Sequence, residues 1–219
     1  PTEASLRLTR ACLEVCAEYR NPVAIITKAP LIERDLDVLL ELHRSASVSV
    51  AISVPIWDQA LARALEPGVA TPKRRIQTIE KLAAAGLNVS VMVAPIIPGV
   101  SDEGMADVLE AARDAGATSA GYVLLRLPGA VKDVFEARVR AALPLRADKI
   151  LHRVRETRGG ALYDSRYGVR GRGEGPYAQM INQVFHSCVR RLGLVQPRWP
   201  ARPDTFRRPE KVTPQLSLF

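Results

Sequence analysis

The chain has 219 residues, of which 47% are hydrophobic, enough for one good-sized core with appendages. It contains no run of about 18 apolar residues, which excludes a membrane-spanning helix. The opening Pro1-Thr2-Glu3-Ala4-Ser5 lacks the charged and apolar regions expected of a secretory leader. Three cysteines, an odd number, make no disulfide framework, so the expected location is the reducing cytoplasm.

The charge is unevenly placed. Residues 1–137 hold 14 Lys+Arg against 17 Asp+Glu, a net of −3, and residues 138–219 hold 17 against 6, a net of +11; the two sum to +8. Of the 17 bases in the second part, 15 are Arg, whose rigid fork pairs with phosphate. A tail this basic fits a polyanion such as DNA, the alternative being a solvated surface.

In chain order, Thr9 is placed to cap a first helix with Cys12, Val15, Cys16 and Tyr19 on one apolar face. Cys12 and Cys16 form C-x3-C, but Tyr19 stands where a third cysteine is needed to hold a four-iron cluster. These cysteines therefore read as buried helix residues, and no metal ligand is assigned. Val23–Thr27, 48–54, 89–94 and 119–125 read as strands, apolar on both faces as in a parallel sheet covered on both sides. Between them lie helices. One carries Leu36, Leu39, Leu40 and His43. A second is capped by Thr71, starts at Pro72 and ends at Gly86, with Ile76, Ile79, Leu82 and Ala83 inward. A third is capped by Ser101, with Met105, Val108, Leu109 and Ala112 inward.

This β-α-β-α-β-α-β series predicts an α/β fold. Four strands cannot close a barrel, so an open sheet or part of a barrel must have its edges covered. The expected organisation is an incomplete (β/α) barrel over 1–144 and a basic helical extension with a Gly-Arg loop over 145–194. A Pro/Arg-rich linker ending in a peptide motif then occupies 195–219.

Ligands in parallel α/β proteins bind at the carboxyl ends of strands. Lys28, Ser53, the backbone at Ala94-Pro95 and Arg126 all fall on that rim. Lys28 and Ser53 suit a carboxylate or hydroxyls, and Ala94 leaves room for a flat ring. The alternative for Lys28 is a rim lysine in a surface ion pair.

Ile26-Thr27-Lys28, Ile52-Ser53, Leu65-Glu66-Pro67-Gly68 and Val93-Ala94-Pro95-Ile96 occur in the order and approximate spacing of the spore photoproduct lyase family of radical S-adenosylmethionine (SAM) enzymes. Arg166-Tyr167-Gly168 is similar to a late element of that family, and the resemblance covers residues 6 to about 192. It implies a partial (β/α)6 barrel, with SAM and a [4Fe-4S] cluster as cofactors. It also implies a 5′-deoxyadenosyl radical that abstracts hydrogen. Carried over by position, Lys28 and Ser53 contact the methionine and ribose part of SAM, and Ala94 lies at its adenine. The cluster loop precedes the matched region, so this piece alone is expected to be inactive. The lyase's cysteine hydrogen donor is not matched here either, so thymine-dimer repair itself does not carry over. The expected role is that of a radical SAM, lyase-like enzyme related to DNA repair.

Tyr163, Arg166, Tyr167, Arg170 and Arg172 interleave aromatic rings and guanidiniums between glycines, a pattern for phosphate contact and base stacking. A flexible lid without DNA contact is the alternative. The last residues, Gln215-Leu216-Ser217-Leu218-Phe219, are similar to the pentapeptide by which bacterial proteins bind the sliding clamp. There Leu218 and Phe219 form an apolar plug, Leu216 packs beside it and Gln215 bonds the rim. Two other functions stay open: a non-catalytic, clamp-tethered DNA-binding module, and a Schiff-base aldolase with Lys28 as nucleophile.

Overall fold

Alternation along the strands gives the sheet two unlike faces. The computed structural model describes residues 2–195 and 204–209. Strands β1 (Val23–Thr27), β2 (Val48–Ser53), β3 (Val89–Ile96) and β4 (Ser119–Leu124) are parallel and lie in the order β1-β2-β3-β4. Ile26 pairs with Ala51, Ala51 with Ser90, and Ser90 with Ser119. The two-residue period then places Val48, Val50 and Ile52 beside Val89, Val91 and Val93 on one face. Ser49, Ala51 and Ser53 fall on the other, with Ser90, Met92, Ser119 and Gly121. The aliphatic face carries the main core. The opposite face is small and polar, and the buried hydroxyls of Ser90 and Ser119 hydrogen-bond across it at 2.6 Å. A sheet wound on both sides needs large apolar residues on both faces. This sheet is one-sided instead, like the staves of part of a barrel with a polar lumen.

The helices follow from capping and periodicity. In chain order they are α1 (Thr2–Leu6), α2 (Leu8–Glu18), α3 (Leu36–Ser45), α4 (Gln59–Leu65), α5 (Pro72–Ala84), α6 (Met105–Asp114), α7 (Val131–Ala142), α8 (Ala147–Glu156), α9 (Val169–Arg172) and α10 (Gly175–Arg191), with a 3-10 turn at Pro30–Asp35. The Thr71 side chain accepts from Arg74 N at 3.2 Å and caps α5 as expected. Leu39, Leu42, Ile79, Leu82, Val108 and Leu109 are fully buried under the sheet.

Several local expectations are corrected. Residue Arg7, with φ 53°, precedes α2, and Thr9 lies inside the helix with its N–H donated to the Glu3 carboxylate at 3.1 Å. The core stripe of α2 is Leu13 with Cys16 and Ala17, whereas Cys12 and Val15 are exposed. The reason is that α2 packs mainly on α3, and this narrow contact covers a stripe one residue away from the expected one. Ser101 does not cap α6, which starts after Gly104; its hydroxyl accepts from Ile97 N at 2.7 Å and closes the turn after β3. Strand β1 is not covered on both sides: Ile26 is 67% exposed, because no described residue lies over its lumen face.

The basic extension shares both cores with the sheet. Ile181, Phe185 and Val189 of α10 enter the main core. A second core over the carboxyl ends of the strands joins Ile56, Ile97 and Leu127 to Val139 of α7 and Ile150 and Val154 of α8. The chain then returns to the sheet. Val195 N donates to Thr118 O at 3.1 Å, and Ala120 N to Val195 O at 2.9 Å, which covers part of the β4 edge. Farther on, Thr205 Oγ1 donates to Arg20 O at 2.9 Å and Arg207 N to Tyr19 O at 2.8 Å. Among the described residues no helix is long and apolar enough to cross a membrane.

Candidate functional site

Lys28 follows β1 directly, and Ser53 closes β2. Thr27 pairs with Ile52, so Lys28 stands level with Ser53, about 4.8 Å away across the sheet at backbone spacing. Both fall on the small, polar face. Ser53 is 5% exposed. Ala94 lies on the same face two residues beyond Met92, the partner of Ser53. The last contact of β3 with β2 is Val54 N to Met92 O, at 2.9 Å. The ladder to β4 is broken between Val93 and Ile96, where Pro95, after a cis Ala94–Pro95 bond, has no N–H to donate. The backbone at Ala94 therefore stands clear of both neighbouring ladders, beside a methyl that leaves the lumen open. Lys28, Ser53 and Ala94 are brought to one rim and one face.

Behind the rim lies a charged clamp. Arg75 is 2% exposed, on the buried side of α5. A guanidinium so far from water needs partners for its donors. It finds them in Ala70 O at 2.9 Å, Ser53 O at 3.1 Å and Glu66 Oε2 at 3.0 Å. The other Glu66 oxygen accepts from the Lys28 ammonium. Lys28 thus does make an ion pair, yet its side chain keeps 36% of its exposure and two further donors for a ligand. Arg75 escaped the sequence reading. Its signal was its position: with Ile79 and Leu82 it completes an i, i+4, i+7 set, so an arginine sits on an apolar helix face.

The rim of β4 differs. Arg126 is exposed and near enough to oppose the charge on Arg158, whose pKa is lowered first by burial. Arg158, 2% exposed, donates to Leu125 O and Val169 O, each at 2.7 Å, and ties the glycine-arginine stretch to the end of β4.

That stretch is not a uniform basic surface. Tyr163 is half-buried against the second core. The Arg166 guanidinium bonds Asp164 at 2.6 Å and Glu174 at 2.8 Å, and it holds the Asp164 carboxyl below its ordinary pKa. Tyr167 is 90% exposed, with the Arg170 guanidinium 5.4 Å from its ring centroid. Arg170 and Arg172 are exposed. Nearby, Tyr177 donates to Asp102 at 2.5 Å under the Arg153 guanidinium, and burial together with that bond pushes its pKa up to about 12. Gln215, Leu216, Leu218 and Phe219 lie outside the described residues.

Residues 3–112, half of the chain, match the model of the radical SAM superfamily. The chain is 32% identical over 221 residues to the uncharacterized proteins Rv2578c of Mycobacterium tuberculosis and Mb2609c of Mycobacterium bovis, across 99% of this chain and 60% of theirs. It therefore spans about three-fifths of the length of these relatives. A shorter stretch of 102 residues, 47% of this chain and 38% of the relative, is 28% identical to the uncharacterized protein MJ0683 of Methanocaldococcus jannaschii. Among solved structures, spore photoproduct lyase complexed with dinucleoside spore photoproduct superposes with a TM-score of 0.60 at 15% identity, over 89% of this chain and 56% of that one. A variant of that lyase with bound AdoMet and dinucleoside spore photoproduct gives the same values. The shared fold is a partial radical SAM barrel.

The superfamily's cofactors are SAM and a [4Fe-4S] cluster. The rim suits the first, since the Lys28 ammonium, the Ser53 hydroxyl and the open backbone edge at Ala94 line one face. The second has no counterpart here: among the described residues no group of three or more His, Cys, Asp or Glu could hold a metal ion. The exposed Cys12 and half-buried Cys16 do not change that. The chain belongs to the radical SAM superfamily.

Proposed function

We propose that this chain forms the SAM-holding wall of a radical SAM enzyme that acts on nucleic acid, with a role related to DNA repair. The observation that carries the cofactor part is the alignment of Lys28, Ser53 and Ala94 on the polar face of three successive strands. In this reading Lys28 binds the methionine carboxylate, Ser53 a hydroxyl of the ribose, and the Ala94 backbone the adenine edge. The cofactor pair supplies hydrogen-atom abstraction; the residues of this chain bind, orient and exclude water. Support for a nucleic-acid substrate comes from the net +11 of residues 138–219 and from the dinucleoside that the structurally similar lyase binds. The test is SAM binding and anaerobic 5′-deoxyadenosine formation by the full-length natural protein, with and without DNA. Lys28→Ala is expected to raise the Kd for SAM by about tenfold or more, the cost of one charge-assisted contact, and Ser53→Ala by about fivefold, the cost of one neutral hydrogen bond. Unchanged affinity in both variants refutes the assignment.

The C-terminal pentapeptide supports a second proposal, tethering to the bacterial sliding clamp. Arg207 is anchored to Tyr19, ahead of β1, so this part of the tail lies at the opposite end of β1 from Lys28. As a non-catalytic reading, the same tether would serve a DNA-binding module alone. Schiff-base chemistry is disfavoured, since the Lys28 ammonium would first have to leave Glu66.

A further inference from the structure

We infer that the outer side of α10, where it borders β4, is the track for the phosphodiester backbone of a nucleic acid. This rests on the nucleic-acid reading above and assigns its main contact surface. Two recesses of about 450 and 460 Å³ adjoin there and share Asn182 and His186. The first is lined by Tyr122 and Arg172 as well, and the second by Gln183, Ser187 and Arg190.

The chemistry of the lining is one-sided, for among the described residues no carboxylate borders either recess. Several neighbouring arginines are occupied: Arg166 by Asp164 and Glu174, Arg153 by Glu156, and Arg191 by Glu110 at 2.7 Å. Among the described residues Arg190 reaches only the Ser187 hydroxyl, at 3.4 Å, and Arg172 makes no hydrogen bond. Asn182 accepts from Tyr122 Oη at 3.0 Å through Oδ1, which leaves its amide donors facing outward. Guanidiniums and amides without matching acceptors are the donor set for phosphate oxygens.

The dimensions agree. From Asn182 to Arg190 the helix rises about 12 Å, some three to four steps of a nucleic-acid strand at about 3.4 Å each. The track also has an exit toward the lumen. The first recess straddles the edge of β4, with Gly121 on the lumen side and Tyr122 on the helix side, past the point where Val195 covers that edge. A base turned out of a strand held here has a short path around β4 to the polar face.

The test is fluorescence anisotropy of labelled 12-mers of single-stranded DNA, duplex DNA and RNA, titrated with the full-length natural protein at several salt concentrations. Replacing both Arg172 and Arg190 with Gln is expected to flatten the slope of log K against log salt, by about 1.4 for single strands and about 1.8 for duplex. Replacing both with Lys is expected to keep the slope. The oligonucleotide showing the larger affinity loss identifies the nucleic acid. A wild-type slope in the Gln variant on all three, with loss instead in an Arg166→Gln/Arg170→Gln variant, overturns the track and leaves the nucleic-acid reading standing. Absence of binding by the unaltered protein to any of the three overturns both.

Discussion

The Arg75 guanidinium holds the backbone of Ser53, donating to its carbonyl oxygen at 3.1 Å from inside the core. The last residue of β2 is thus fixed by a charge that water does not reach. Removing one member of such a set leaves the others unmatched, which costs more than the set contributed. Arg75→Met should lower the stability of the chain by about 3–5 kcal/mol, read as a shift in the urea midpoint. Arg75→Lys should recover part of it, because a point charge cannot span Ala70, Ser53 and Glu66 together.

Glu66 ties that buried charge to Lys28. Glu66→Gln keeps the shape and removes the anchor, so the Lys28 side chain gains freedom that SAM binding must take away again. A three- to tenfold rise in the Kd for SAM is expected, with kcat little changed at saturation. In Lys28→Ala the further Glu66→Gln change should add nothing. Additive losses would show that the two residues act separately.

Acid should loosen the contact between the 3-10 turn and α5. Burial works against the Glu33 carboxylate, but bonds from Arg74 at 2.6 Å, Thr78 at 2.8 Å and Lys81 at 3.2 Å outweigh it and lower its pKa to about 2. A depressed folded-state pKa gives stability that is present above the unfolded value of 4.5 and is lost as pH falls toward 2. Glu33→Gln should lower the Tm at pH 7 and narrow the difference from the unaltered chain between about pH 4.5 and 2. A parallel fall of both Tm values across that window would count against it.

Gly173 is the least replaceable glycine of the basic stretch. Its φ of 75° and ψ of −178° belong to a region essentially reserved for glycine, and a Cβ there would meet Leu124 Cδ1 at 2.6 Å and Thr157 O at 3.0 Å. Gly173→Ala should cost about 2–4 kcal/mol by thermal or urea unfolding, combining strain with overpacking. Gly160→Ala, also at positive φ but with open space around it, should cost about 1 kcal/mol.

A peptide of residues 209–219 should bind the bacterial sliding clamp in a calorimetric or anisotropy titration. Deleting Leu218 and Phe219 should abolish that binding. No detectable association of the intact peptide would end the tethering proposal.

Much of this was legible in the residues. The four strands and their order follow from short β-branched runs alternating with capped helices, and Lys28, Ser53 and Ala94 follow from where those runs stop. The polar lumen was written as well, in the serines alternating with valines from Val48 to Ser53, but the apolar fraction of the runs hid it. The stripe on α2 was misplaced because helical periodicity permits several faces and only the position of α3 decides among them. Helix α7 went unseen because Val131 and Val134 point to solvent and Val139 alone is buried, which blurs the period. Arg166 looked free because Glu174, eight residues on, comes beside it only when Arg158 draws the stretch onto β4.

The contacts of Thr205 and Arg207 with Arg20 and Tyr19 also set a time. They join residues at least 185 positions apart, so during synthesis they form only after residues 205–207 have emerged. The sheet, built from local βα steps, can assemble earlier. Protection of the Arg207 amide from hydrogen exchange would then report a stage of folding later than the sheet.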